Sequence, residues 1–267
     1  MSDVDNELVA ALRDLLRAGQ AEPHTVLLLT DEELAAVTTP DAAGPSPWLD
    51  RLTGVPREVA AQFGGRSLLT RGLIRAAPGV GSPEDPNLEA AMELRVVVDT
   101  RLIGLGYVRA DRGTADDGVA KIAVVQPELG VLEEEVSAQG FHLFTSCTYD
   151  MAAYRMARWA LPASVAATPG ATATMPADRW PAFAWGELSA NPRDVTVELF
   201  LSPADGGTAA ERWFLAHDER LALLARPVDG SDEQLRIGPV DRGALQDMIA
   251  ERMHQAVAAA RSPAAPQ

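Results

Sequence analysis

The stretch FHLFTSCTYD sets His142, Cys147 and Asp150 close together, the residue types of a thiol nucleophile, its base and an orienting acid. Such a pair works only if the two side chains meet in space. On a strand, successive side chains alternate between faces, so His142 and Cys147 point to opposite sides. A helix start beside Cys147 would lower its pKa. The competing reading is a small buried residue, and the spacing favours it.

Other stretches also suggest chemistry by residue type. GGRSLLTRGLI has three glycines, Gly64, Gly65 and Gly72, beside Arg66 and Arg71, but lacks the GxxxxGK and GxGxxG spacings of a phosphate loop. It reads as a helix that stops at Gly72 and hands the chain to a strand through Leu73 and Ile74. LIGLGYV contains Gly104 and Gly106 in a strand-like context without the following helix that a dinucleotide site needs, so a bulge or hairpin is expected. In ERWFLAHDER, His217 and Asp218 mark a tight turn, and no HxH or HExxH joins them to make a metal site. VLEEEVS puts Glu133, Glu134 and Glu135 on a strand with at least one acidic face, which suits a solvated sheet or a guarded edge. No catalytic residues, metal ligands or cofactor are assigned.

The elements that would carry these residues come in two rounds. Asp3 to Ala18 has Leu8, Val9, Leu12, Leu15 and Leu16 on one helical face, capped by Asp3 or Asp5 and ended by Gly19. A short apolar run, Val26 to Leu29, and a helical turn or two over 31–37 follow, then a loop over 38–47. Residues 48–52 and 56–69 read as helical, and 78–86 as irregular. From Leu94 the β-branched enrichment of LRVVVDTRLIGLGYVRA suggests strand. Strands near 119–126, 129–136 and 141–146 are too close for helical crossovers and form an antiparallel meander. A helix capped by Asp150 follows and stops at Pro162. The second round begins at VTVELFL, passes the His217–Asp218 turn and LRIGP, and ends in a helix capped by Asp241.

The expected fold is therefore α+β, with two quasi-symmetric halves, each an antiparallel meander followed by a helix, plus extra N-terminal helices. Its parts are an N-terminal segment 1–47, a first half 48–162, a Pro/Ala/Thr-rich connector 163–193, a second half 194–258 and a disordered tail 259–267. Trp180, Phe183 and Trp185 in the connector are candidate partner-binding anchors, because aromatics dominate binding hot spots. The plainer reading, and the favoured one, is that they cover the edge of the core.

Composition bounds the function. The chain has 267 residues, 47% hydrophobic and 23% charged, a globular balance with ample core. A formal net charge of −15 repels phosphate backbones and anionic lipids, so neither nucleic acid nor membrane is an expected partner. The single cysteine rules out an internal disulfide and a cysteine zinc cluster. The acidic start MSDVDNELVAALRDLL is unlike a secretory signal, and a cytoplasmic location is expected.

The order of elements resembles the EspG-like chaperones of type VII (ESX) secretion. RSLLTRGLI before the first meander, the doubled meander-helix layout, and ERWFLAHDERLALLARPVDGSDEQLRIGPVDRGALQDMIAERM carry the likeness, over about residues 48–258. The resemblance implies a cytosolic chaperone that keeps a helical, aggregation-prone secreted protein or protein pair soluble, without catalysis or cofactor. Two other readings stand beside it. One is a ligand-binding protein or enzyme using the cleft between the halves, around His142, Cys147 and Asp150. The other is a winged-helix-like regulator over 48–109, with Arg57, Arg66 and Arg71 on its recognition helix.

Overall fold

A computed structural model describes residues 3–39, 44–81, 86–112, 119–127, 130–165, 172–188, 193–201, 209–228 and 231–261. The chain is an α+β protein built on one large antiparallel sheet. Four consecutive strands, β4 (Gly106–Arg112), β5 (Val119–Gln126), β6 (Gly130–Val136) and β7 (Phe141–Cys147), form a meander that runs into helix α5 (Tyr149–Ala160). Four more, β9 (Arg193–Leu201), β10 (Ala209–His217), β11 (Ala222–Val228) and β12 (Ser231–Pro239), form another that runs into α7 (Arg242–Arg261). Antiparallel pairing of β4 with β9 welds the meanders together. Strands β1 (His24–Thr30) and β8 (Ala173–Pro176) complete the ten at the two edges, beside β7 and β12.

The sheet buries its two faces differently. On one face α5 and α7 lie over a core that includes Val108, Ala110, Val197, Trp213 and Leu215, with Ala152, Met156, Ile249 and Met253 from the helices. On the other, α1 (Asp3–Ala21), α2 (Asp31–Val37), α3 (Arg57–Thr70) and α4 (Met92–Ile103) gather over β1 and β5–β7, while α6 (Trp180–Glu187) covers β11 and β12. A separate hairpin, β2 (Ile74–Gly81) with β3 (Pro86–Ala90), follows α3.

The joint at residues 64–74 follows local rules. Gly64 lets α3 lie directly on α2, because a Cβ there would collide with the backbone of Glu32. Gly72 adopts φ 72°, and the amide of Leu73 donates to the carbonyl of Leu68 at 2.9 Å, closing a Schellman end. The chain then enters the small hairpin rather than the large sheet.

Several sequence expectations are corrected. Residues 92–103 form a helix, not a strand. Leu94 and Val97 face the core under β5–β7 while Val96 meets Leu12 and Leu16 of α1, so burial on two sides erases the single stripe. Gly19 lies inside α1, tight against the backbone of Ser146, and the helix runs on to Ala21. The cap of α5 is Thr148, whose hydroxyl accepts from the amide of Met151 at 3.2 Å, and Asp150 sits in the first turn. The irregular stretch 78–86 falls mostly on the hairpin strands, apart from 82–85, which lie outside the described residues. The connector carries β8 and α6, and α7 continues to Arg261. The rest of the expected tail, 262–267, lies outside the described residues. No described helix is long and apolar enough to cross a membrane.

Candidate functional site

The three neighbours that suggested nucleophile chemistry diverge. His142 is fully buried on the α2 side of β7, with Nε2 2.6 Å from Asp31 Oδ1 and Nδ1 2.7 Å from Glu134 Oε1. Cys147 faces the α5 side and is fully buried; desolvation, with Glu133 adding to it, pushes its thiol up to about 12. It is a neutral core residue, the reverse of an activated thiolate. Asp150 points outward, with Oδ1 2.9 Å from His254 Nε2. His217 and Asp218 do make the β10–β11 turn, where Asp218 Oδ1 accepts from the amides of Arg220 and Leu221 at 2.7 and 2.8 Å. No group of acids, histidines and cysteine suited to a metal occurs among the described residues.

Two of the three consecutive glutamates are not solvated. Strand β6 is interior to the sheet, and Glu133 and Glu134 are both buried. On the α2 side Glu134 Oε2 accepts from Arg101 Nε at 3.0 Å, while Oε1 faces His142. Asp31 completes the cluster: its Oδ2 accepts the amides of Trp48 and Leu49 at 2.8 and 3.0 Å. A carboxylate at each ring nitrogen favours the imidazolium form. Burial alone would lower the pKa of His142, but hydrogen bonds to Asp31 and Glu134 raise it. Burial would raise that of Glu134, but Arg101 and His142 lower it. On the opposite side Lys121 Nζ bridges Glu133 at 2.9 Å and Glu135 at 2.7 Å, and Arg155 Nη2 reaches Glu133 at 2.7 Å. Both clusters are internal braces.

Two of the three candidate arginines, Arg57 and Arg71, are engaged as well. Arg57 Nη2 donates to Ser46 Oγ at 2.7 Å. Arg71 donates to Glu33 Oε2 at 2.6 Å and to the carbonyl of Leu28 at 2.8 Å, blunting the open edge of β1 with charge.

The open region of the molecule is the α2-side face of β4, β9 and β10. The pairing register lays it out in rows: Tyr107, Phe200 and Ala210; then Arg109, Glu198 and Arg212; then Asp111, Thr196 and Phe214. Their sequence neighbours Val108, Ala110, Val197, Leu199, Trp213 and Leu215 are all buried on the other face, whereas these are half-buried or exposed. Tyr107 and Phe200 stack at 5.4 Å. Arg212 Nη2 meets Glu198 at 2.6 Å and Arg109 Nη2 meets Asp111 at 2.7 Å, so the charges balance. Burial acts to lower the pKa of Arg109, but Asp111 and Glu198 raise it. Tyr107 leans on the core under α2–α4, and Phe214 on the core under α6.

Of the aromatic anchors expected on sequence grounds, Trp180 is 6% exposed and belongs to the α6 core, Phe183 packs against that core, and Trp185 is 63% exposed. The pattern VTVELFL does signal the open face of β9, since Thr196, Glu198 and Phe200 alternate with buried Val195, Val197 and Leu199. The partner rows on β4 and β10 carry no such signal, because cross-strand register joins distant segments. A scan of protein-family models finds no match to the chain, and a search of curated proteins finds none either.

Proposed function

We propose that the chain is a non-catalytic, cytoplasmic binding protein that holds a helical, aggregation-prone secreted protein or protein pair, in the manner of an EspG-like secretion chaperone. The observation that supports this most is the uncovered face of β4, β9 and β10 between two helix-covered regions. Strands sit about 4.8 Å apart, so three of them span about 10 Å, close to the ~10–12 Å diameter of one α-helix. An apolar anchor at the Tyr107–Phe200 stack, with a charge-balanced row beside it, suits the end of an amphipathic helix carrying both apolar and charged groups. The acidic surface keeps the complex soluble and opposes binding to nucleic acid.

The test is co-expression with small helical secreted proteins of the same cell, followed by size-exclusion chromatography with light scattering. A stoichiometric complex is expected. Phe200→Asp should weaken it by about 2 kcal/mol or more, a larger loss than the stability of the free chain shows, where Phe200 is 37% exposed and stacks on Tyr107. A complex indifferent to Phe200→Asp, or a stable lone chain that retains no helical partner, would defeat the proposal.

A further inference from the structure

A separate feature lies on the opposite face. Helix α5 presents Met151, Tyr154, Arg155, Arg158 and Trp159 along one stripe beside its buried stripe. These side chains, with Lys121 and Glu135 of the sheet, line a hollow of about 400 Å³. That volume falls within the range of about 300–1,000 Å³ typical of small-ligand sites.

The local charge is opposite to that of the whole protein. Lys121 and Arg155 are held by Glu133 and Glu135. Arg158 meets no carboxylate among the described residues; its Nη1 donates to Tyr154 Oη at 2.7 Å. Arg112 lies 4.2 Å over the Trp159 ring, close enough to Glu135 to feel it. Arg193 in turn lies near enough to Arg112 to oppose its protonation. Among the described residues the hollow therefore has more cations than acids around it, in a chain of net charge −15. Screening confines the long-range acidic field to about 8–10 Å, so contact geometry decides what binds here.

We propose that this hollow binds a carboxylate attached to a flat apolar body, with the carboxylate at Arg158 and Arg155 and the body against Trp159 and Tyr154. Guanidinium forks match a carboxylate's two oxygens, and the rings supply apolar contact. Glu135, 41% exposed at the rim, disfavours the second charge of a phosphate. The inference is independent of the docking face on β4, β9 and β10.

The experiment titrates the full chain with benzoate, acetate and inorganic phosphate, following tryptophan indole NMR signals assigned with Trp159→Phe; Trp185 serves as an internal control. Benzoate should shift the Trp159 signal saturably, with acetate and phosphate at least about tenfold weaker. Arg158→Ala should weaken benzoate about tenfold, the size of one lost charge-assisted contact. Arg158 is exposed, so the variant should keep its fold, and an unchanged Trp185 signal checks this. A peptide ending in phenylalanine separates the sources: tighter binding than benzoate indicates a carboxylate delivered by a polypeptide, weaker or equal binding a free small molecule. Shifts that never saturate, that are equal for all three anions, or that survive Arg158→Ala would overturn the proposal.

Discussion

Glu133 and Glu134 are neighbours on β6, equally buried, and they face opposite sides of the sheet. The two sides treat a buried carboxylate differently. Both oxygens of Glu134 are occupied, by Arg101 and His142, and His142 passes the connection on to Asp31 and the amides of Trp48 and Leu49. At its carboxylates this cluster is closed, with both oxygens of Glu134 and of Asp31 engaged, and it ties α2, α4, β6, β7 and the segment at 48–49 together. Oε1 of Glu133 takes Lys121 and Arg155, while Oε2 has no partner among the described residues. Its cations have a second outlet: Lys121 also holds Glu135, and Arg155 is partly exposed toward the hollow. A closed cluster serves rigidity, and an open one leaves charge available to a visitor.

The largest test of this contrast is Glu134→Leu. It removes the buried carboxylate that Arg101 Nε and His142 Nδ1 share, and should cost about 3–5 kcal/mol, read as a lower urea midpoint with an unchanged slope. Glu133→Leu should cost less, about 1–3 kcal/mol, because Lys121 keeps Glu135 and Arg155 can turn to water. Equal losses would erase the distinction.

The pH profile sharpens it further. His142 titrates above its ordinary value in the fold, so its contribution is complete below pH about 6.5 and is lost as pH rises through the raised folded value. Glu134 titrates below its ordinary value, so its contribution is present above pH about 4.5 and is lost as acid takes pH down through the lowered value. Each limb is limited to about 1.4 kcal/mol per pH unit for one proton. Glu133→Leu should leave the His142 limb in place, whereas His142→Gln should flatten it. At neutral pH the smallest of these effects belongs to Cys147. Its thiol, raised from 9.0 to about 12, adds a loss only above pH about 9, which Cys147→Ala should remove.

Much of the frame was legible in the chain. Pro127, Gly130 and Gly140 bracket β6 and β7, and alternation in VTVELFL marks β9 and its open face. Helix α4 was hidden because it is buried against two cores, and a two-sided helix of valines has the composition of a strand. The burial of Glu133 and Glu134 was hidden for another reason. Their partners Arg101, His142, Lys121 and Arg155 lie on other elements, and nothing near VLEEEVS announces them. The aromatic cluster in the former connector drew attention for its residue types, yet the fold gives Trp180 to the core and only Trp185 broadly to solvent. The Tyr107–Phe200 stack depends on the β4–β9 register, which no local pattern encodes.

The edge position of β1 has a consequence for synthesis. Its pairing partner is β7, from Thr30 opposite Phe141 to His24 opposite Ser146, so the strand made first must wait for one made much later. At roughly 5–20 residues per second, translation of the intervening chain occupies roughly 5–20 s. During that interval Val26, Leu27, Leu28 and Leu29 are an unpaired apolar ribbon outside the ribosome. A nascent chain halted before Phe141 should be cut readily by protease at β1, and one released beyond Cys147 should be protected there. Of the strand pairs in the large sheet, β1 and β7 thus wait longest between the making of the first strand and the second.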